Sequence, residues 1–416
     1  MPTEPLRILI AGGGIGGLCL AQGLRQAGAD VAVFERAPTA AGFREGYRLH
    51  ISPEGSHALH TCLPADLFAA VAATSGRPPR AMSFLTERLG ELLSVEVLAD
   101  DTEPDPVAAH RSVNRYTLRR ILLQKLDDIV RFGKECIGYE RHGDNAVTVR
   151  FADGSTAEGN LLIGAEGGHS AIRAQFLPHA ERVETGMVSI GGRLPLTTET
   201  RRLLPRHLDR GPISVLAPRG LSMFIATHQA VIAEAYRHLA PPDAGDCVVW
   251  GFTGPSDRMP VAGRSGEELR RLVIDHLRGW DPRLRRLIEH SDSGSINAIS
   301  IRTAVPVKAW PPSNVTVMGD AIHSMPPSLG VGANIALRDA EILTQKLSAV
   351  YCGELPLLQA VGAYENEMRQ YGFAAVRASN RALKQSATTG AFSFAATKAA
   401  LRILNALPPV KKRVFQ

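Results

Sequence analysis

The segment Gly12-Gly13-Gly14-Ile15-Gly16-Gly17 constrains this chain more than any other, because it places five glycines between an apolar run and an amphipathic one. Residues 6–10 (Leu-Arg-Ile-Leu-Ile) form the short apolar run expected of a strand buried in a parallel sheet. Leu18, Leu20, Ala21 and Leu24 then supply one apolar face of a helix that ends near Gly28, and residues 31–34 (Val-Ala-Val-Phe) read as a second strand. In this G-x-G-x-x-G pattern Gly12 permits the tight turn, Gly14 lets the backbone approach a pyrophosphate, and Gly17 lets helix and strand pack closely. Ile15 and Gly16 open the helix, whose N-terminus brings partial positive charge to the phosphates. Glu35 closes the second strand about 18 residues after the last glycine, where an acid accepts hydrogen bonds from a ribose diol. Arg36 follows it at the same edge. An acid at this place disfavours a 2′-phosphate, so the unit suits FAD or NAD rather than NADP.

A second arm decides between them. Residues 315–318 repeat the buried-strand pattern and run into Gly319-Asp320-Ala321-Ile322-His323-Ser324-Met325-Pro326-Pro327, then Ser328-Leu329-Gly330-Val331-Gly332-Ala333-Asn334. An aspartate at the C-terminal end of a strand can bond ribityl hydroxyls or hold water on a pyrophosphate. Gly330 and Gly332, at the N-terminus of the next helix, allow backbone amides to approach a flat ring and favour negative charge developing on it. A nicotinamide enzyme has no use for this distant second arm; FAD does. A third loop, Gly164-Ala165-Glu166-Gly167-Gly168-His169-Ser170-Ala171-Ile172-Arg173, again joins a strand (residues 161–163) to a helix.

Composition narrows the class. With 416 residues the chain is long enough for two packed regions. Its 44% hydrophobic and 21% charged residues are ordinary for a globular protein and argue against disorder. The net charge of +6 comes from scattered arginines, with no recognition helix, zinc finger or RNA-binding signature, so no nucleic-acid partner is expected. The five cysteines form no Cys-x-x-Cys pair, which points away from a disulfide framework or a metal site and towards a reducing cytoplasm. No run of about 18 apolar residues suggests a membrane span, and the glycine-riddled start lacks the basic leader of a signal peptide.

Further along, residues 118–126 look helical, and residues 146–151 with Asp153-Gly154 look like a hairpin. Between residues 181 and 297, short β-type runs (213–216, 223–227, 248–252) separated by Pro/Gly loops suggest a mostly antiparallel sheet. From residue 342 the pattern is helical to the end.

Taken together, the three motifs resemble, in order and spacing, those of the class A single-component flavoprotein monooxygenases typified by para-hydroxybenzoate hydroxylase. The resemblance covers residues 6–345. Its dinucleotide motif matches Gly12, Gly14, Gly17 and Glu35; its Gly-Asp motif matches Gly319, Asp320, Ala321, His323, Pro327, Gly330, Gly332 and Asn334. The middle motif departs from the pattern, with Glu166 in place of the usual aspartate, while Ser170 and Arg173 match. A family arginine that reaches the flavin side is best matched by Arg115, ahead of Arg111 and Arg119.

The resemblance implies an α/β chain: a Rossmann-type FAD-binding domain (1–75, 105–180 and 298–345), an interleaved β-sheet substrate domain (76–104 and 181–297), and a C-terminal helical segment (346–416). Cofactor contacts are expected from Gly12, Gly14, Ile15, Gly16, Gly17, Glu35, Arg36, Arg115, Asp320, Pro327, Gly330, Gly332, Ala333 and Asn334. The loop carrying Pro327, Gly330 and Gly332 would border the reactive flavin edge. The implied cycle has NADPH or NADH reduce the flavin, O₂ add at C4a, and the resulting hydroperoxide pass one oxygen to an aromatic or other apolar small molecule. Met82, Phe84, Leu85, Met223, Phe224, Trp250 and Phe252 are candidates for the apolar wall of the substrate site.

His50, His57, His60 and His228 are read as satisfied or exposed histidines, and His323 as structural. The C-terminal stretch 395–407, with its basic tail 408–413, is expected to pack against the FAD domain rather than on a membrane, in a monomer or homodimer. A flavin dehydrogenase or oxidase, a Baeyer–Villiger or epoxidising oxygenase and a non-catalytic FAD carrier are the alternatives. A halogenase is disfavoured, because Trp250, Trp280 and Trp310 lie far apart.

Overall fold

The computed structural model describes residues 6–42, 48–76, 79–96, 105–228, 232–240, 245–387 and 390–407. Its first layer is a five-stranded, wholly parallel sheet in the order Val315–Val317, Leu161–Gly164, Arg7–Ala11, Asp30–Glu35, Val130–Phe132. These strands are apolar throughout because both faces are covered: Ile8, Leu9 and Ile10 are all fully buried, as are Leu161, Leu162 and Ile163. The helices Ile15–Gln26 and Gly332–Tyr351 pack against each other beside this sheet. Their contact is close enough that a Cβ at Gly16 would lie 3.2 Å from the Ala336 methyl. The N-termini of the two helices are thereby brought together at the C-terminal edge of the sheet, where ligands of open α/β sheets bind.

A second layer is a seven-stranded sheet. It runs Asn297–Ala304, Arg182–Pro195, Cys247–Pro255, Ser222–His228, Ile213–Leu216, Ala81–Thr86, Glu91–Glu96, antiparallel except where Ile213–Leu216 meets Ala81–Thr86. One face forms its own core with Val188, Ile190, Ile213, Val215 and Ile225 beneath the helices Gly266–His276 and Pro282–Glu289. The strand Asn297–Ala304, assigned from residue 298 onward to the cofactor domain on sequence, belongs instead to this sheet. Its backbone pairs with Arg182–Pro195, from Arg182↔Ala304 to Gly191↔Asn297.

Two smaller pieces complete the frame. The hairpin Ala146–Phe151/Thr156–Gly159 is joined by Cys136–His142. Arg48–Ile51 pairs antiparallel with Arg111–Asn114, and the helix that follows, Arg115–Leu123, begins three residues before the expected 118.

Among the described residues the C-terminal helix Ala391–Ala406 packs mainly on the seven-stranded sheet rather than on the cofactor domain. It covers the edge strand Glu91–Glu96, where Asn405 Oδ1 accepts the Ser94 N–H at 3.1 Å and Asn405 Nδ2 donates to Glu91 at 3.2 Å. An edge strand leaves alternate N–H groups unpaired, and a polar side chain from a covering helix is one way to satisfy them. The basic tail at 408–413 lies outside the described residues. Among the described residues no helix is long and apolar enough to cross a membrane.

Candidate active site

The dinucleotide loop is built from backbone demands. Gly12 sits at φ +111°, and a Cβ there would lie 2.4 Å from the Ala165 carbonyl oxygen. At Gly17 a Cβ would lie 2.2 Å from the Gly12 oxygen, so the first helical turn and the strand end touch through bare backbone. At Gly14, the N-cap of Ile15–Gln26, a Cβ would meet nothing within 4 Å: the space above the helix N-terminus is open. Ile15 is buried in the core behind the loop. Glu35 is 3% exposed and braces the loop from below, its Oε2 accepting the Gly13 N–H at 2.9 Å and its Oε1 the Ala37 N–H at 2.8 Å. Each oxygen keeps a second lone pair. Arg36 is exposed beside it.

Arg119 holds this corner together, a role the sequence did not disclose. Its guanidinium is buried; Nε donates to the Gly13 carbonyl at 2.9 Å, Nη1 to the Ala40 carbonyl at 3.3 Å, and Nη2 lies 3.6 Å from Glu35 Oε2. Burial lowers its pKa, and the Glu35 charge works against that. The partners are about a hundred residues away in sequence, so only its place one turn into Arg115–Leu123, on the buried side, could have hinted at it. Arg115, by contrast, is exposed at the start of that helix. Arg111 is turned inward, with Nε on Ser56 Oγ at 3.1 Å and Nη2 on the Pro106 carbonyl.

The second arm is fixed by one buried acid. Asp339 is fully buried and accepts from the Gly319 N–H at 2.6 Å, from His323 Nε2 at 2.7 Å and from the Tyr371 hydroxyl at 2.5 Å. These contacts hold Gly319 at φ +61° and leave the next residue, Asp320, exposed at the strand end. Burial alone would push the His323 imidazole down. The Asp339 carboxylate, by charge and by hydrogen bond, and Asp320 overcome that and hold it above its usual value. Beyond it, Pro327 is exposed in a short turn that ends at Gly330 (φ +65°), and Gly332 and Ala333 open the 20-residue helix. A Cβ at Gly330 would meet nothing within 4 Å, and one at Gly332 only Asp320 Oδ1, at 4.0 Å. Two helix N-termini and one exposed carboxylate therefore face open space along one edge of the parallel sheet.

Residues 288–379 match a family described as an FAD binding domain, and residues 10–87 one described as an NAD(P)-binding Rossmann-like domain. A 3-amino-4-hydroxybenzoate 2-monooxygenase of Streptomyces platensis is 31% identical over 363 residues, covering 85% of this chain and 82% of that one. The chain belongs to the class A FAD-dependent monooxygenases. A dual O-methyltransferase/FAD-dependent monooxygenase of Cercospora beticola is also 31% identical, over 389 residues, covering 87% of this chain. The chain spans less than half the length of that fungal relative, 44% of it. Among solved structures, a candidate FAD-containing monooxygenase of Photorhabdus luminescens superposes with a TM-score of 0.82 at 34% identity, covering 92% of this chain and 98% of that one.

FAD fits this cradle. The backbone at Gly14, Gly330 and Gly332 is bare towards open space, and Glu35 and Asp320 both retain acceptor capacity along it. Two motif residues are used differently from the expectation. Asn334 is buried, and its side chain belongs to the protein: Oδ1 accepts the Ser52 N–H and Nδ2 donates to the His50 carbonyl, both at 2.9 Å. Only its backbone faces the helix N-terminus. Glu166 turns into its own loop, accepting from the Ser170 hydroxyl at 2.6 Å and the Ile172 N–H at 3.1 Å, and so caps the helix Ala171–Phe176. Burial raises its pKa against these bonds.

The expected apolar wall splits by strand alternation. Leu85, Met223, Trp250 and Phe252 fill the core of the seven-stranded sheet and cannot line a site. Met82, Phe84 and Phe224 lie on the opposite face, where Ser214 pairs with both Phe84 and Phe224 and Phe224 is 39% exposed. His57 pairs with Glu341 at 2.7 Å, and His60 packs edge-on against Phe68. His50 is satisfied by His110, 3.2 Å away, as expected, whereas His228 is buried and its Nδ1 has no hydrogen-bond partner among the described residues, so it is neither satisfied at that atom nor exposed.

Proposed function

We propose that this chain is a monooxygenase that uses NADPH or NADH and O₂ to place one oxygen atom on an aromatic or other apolar small molecule. The observation that carries the reading is the convergence of the open Gly14 turn, exposed Asp320 and the open Gly330 and Gly332 backbone on one edge of the parallel sheet. The bare face of the seven-stranded sheet, with Met82, Phe84 and Phe224, supports an apolar substrate. So does the ring substrate in the name of the Streptomyces relative.

In this reading the N-terminus of Ile15–Gln26, with Gly12, Gly14, Ile15, Gly16 and Gly17, binds the pyrophosphate of FAD. Glu35 takes the ribose hydroxyls with the lone pairs not given to Gly13 and Ala37. Arg36 and Arg115 lie at the rim as cationic contacts. Asp320 would hold the ribityl chain, and the amides of Gly332, Ala333 and Asn334 would hold the ring and favour negative charge on it. Bound FAD supplies the redox chemistry that activates O₂. The exposed Pro327 and Leu329 would present apolar surface to bound FAD and help keep water from it. His323 and Asp339 position the Asp320 backbone and transfer no proton to substrate, because both are fully buried.

The same reading makes residues 1–75, 105–180 and 305–345 the cofactor domain and 76–104 and 181–304 the substrate domain, followed by a C-terminal helical segment, 346–416. It also makes the protein a cytoplasmic monomer or homodimer with no nucleic-acid partner.

The test is purification followed by visible spectroscopy, NAD(P)H oxidation and oxygen uptake with a panel of ring compounds. A yellow protein, faster NAD(P)H oxidation with one compound and a product heavier by one oxygen atom are expected. Reduction without oxygen incorporation would replace the reading with a flavin dehydrogenase or oxidase. Failure to bind FAD at all would overturn it.

A further inference from the structure

The pair Arg48–Ile51 and Arg111–Asn114 carries a group of nitrogen side chains that the cofactor reading does not use. Leu49 and Ile51 face the core of the cofactor domain. By strand alternation Arg48 and His50 face the other way, towards the seven-stranded sheet. This pair is fastened beside the flavin loop, because Asn334 in the first turn of Gly332–Tyr351 donates to the His50 carbonyl at 2.9 Å. From the opposite side comes His228, at the end of Ser222–His228 and on the same face as Phe224. It is 3% exposed, and its Nδ1 has no hydrogen-bond partner among the described residues.

Arg48 is the odd member. Its one side-chain hydrogen bond is from Nε to Ser112 Oγ, at 2.9 Å, and no ion pair reaches it from the described residues. Burial alone pushes its pKa down to about 10, with no carboxylate to offset the loss of water. The acids that act on the neighbouring His228 and His110 have other partners: Asp246 is 2.7 Å from Arg201, and Glu54 accepts from Ser52 at 2.7 Å. Burial, His110 and Arg48 together push His50 down to about 4. Burial and Arg48 push His228 down to about 4 against a small opposing pull from Asp246. At neutral pH the group is thus one cation flanked by two uncharged imidazoles, each able to donate or accept. A half-buried cation without an acidic partner among the described residues is costly to maintain in a fold, and an anionic ligand removes that cost.

We propose that Arg48, His50 and His228 form the anion-recognising end of the substrate site, with Met82, Phe84 and Phe224 as its apolar wall, so that the substrate is a ring compound carrying a negatively charged oxygen. Arg48 is then a specificity-determining residue: it selects among aromatic compounds by charge and leaves FAD alone. The inference rests on the monooxygenase reading for its claim that the ligand is the substrate.

The test uses purified holoenzyme and a matched pair of probes, 1-hydroxy-2-naphthoate and its uncharged 1-hydroxy-2-naphthamide, titrated against the visible flavin spectrum at pH 7.5. Binding of the naphthoate at least about tenfold tighter than the naphthamide is expected, the scale of a charge-assisted hydrogen bond. Arg48→Gln should erase that difference while leaving naphthamide binding and FAD content unchanged, and Arg48→Lys should restore part of it. His228→Leu should weaken naphthoate binding in the same direction. Equal binding of the two probes, no binding of either, or discrimination that survives in Arg48→Gln would overturn the proposal. Loss of FAD from Arg48→Gln would overturn it too, by making Arg48 a cofactor ligand. Oxygen incorporation is measured in the same preparations. If it fails while discrimination between the probes persists, the reaction is misassigned and the anion site stands.

Discussion

Replacing Asp339 with Asn tests whether one buried carboxylate sets the geometry of the second cofactor arm. The substitution keeps the shape of the side chain, so no cavity is expected, and the loss is electrostatic. Asp339 accepts three hydrogen bonds, from Gly319, His323 and Tyr371. Bonds to a charged acceptor contribute about 1.5–3 kcal/mol and neutral ones about 0.5–1.5, so each should weaken by about 1 kcal/mol and the three together by about 3. That is at the lower end of the 3–5 kcal/mol typical of breaking a buried ion pair.

The pH dependence has a definite sign. His323 is raised above its ordinary value in the folded protein, so its contribution is complete below the unfolded pKa of about 6.5 and is lost as pH rises through the folded value. Urea unfolding of the wild type should therefore show stability falling from pH 6 upward through this window. Asp339→Asn should be about 3 kcal/mol less stable at pH 6, with the pH slope from this pair gone. Because Gly319 N–H is one of the three donors, the variant should also hold FAD about tenfold less tightly. A variant within 1 kcal/mol of wild type at pH 6 and with an unchanged FAD dissociation constant would refute the reasoning.

Other substitutions separate the roles of neighbouring residues. Gly14→Ala should fold normally, since its Cβ meets nothing, yet lose FAD affinity at least tenfold by filling the pyrophosphate space; Gly17→Ala, with its Cβ 2.2 Å from a carbonyl oxygen, should fail to accumulate as folded protein. Circular dichroism and flavin absorbance distinguish the two. Arg119→Leu leaves Glu35 buried without its cation and the Gly13 carbonyl without its donor, for a loss of about 3 kcal/mol in urea unfolding and release of FAD. Trp250→Ala should cost about 3–5 kcal/mol with little change in KM for the substrate, whereas Phe224→Ala should change KM with little loss of stability, because the two rings lie on opposite faces of one sheet. Equal effects of the two on stability would sink that division of faces.

How much of this could be read in advance depends on the range of the forces involved. Gly17 answers a backbone requirement set within a few residues, and Gly12 and Gly319 take positive φ in turns that close strands. The strand, loop and helix around each therefore follow from local pattern, even though Ala165 and Asp339, which crowd or hold two of them, lie far off in sequence. The Rossmann-type fold, its FAD specificity and the family were therefore written in the order of short motifs. Alternation in residues 213–216, 223–227 and 248–252 likewise announced strands with two faces. It could not say which face would meet the helices Gly266–His276 and Pro282–Glu289, so Trp250 and Phe252 read the same as Phe224 until packing separated them. The same limit governs polar side chains. Local pattern favours Arg115 over Arg111 and Arg119, and only contacts across about a hundred residues make Arg119 the brace of Gly13 and Glu35 and leave Arg115 at the surface. Asn334 lies inside a flavin motif, yet its amide spans to Ser52 and His50. Arg48 and His228, 180 positions apart in the chain, meet only because two domains close on each other. Local sequence fixes what a backbone segment can do; burial and long-range partners decide what a charged side chain is for.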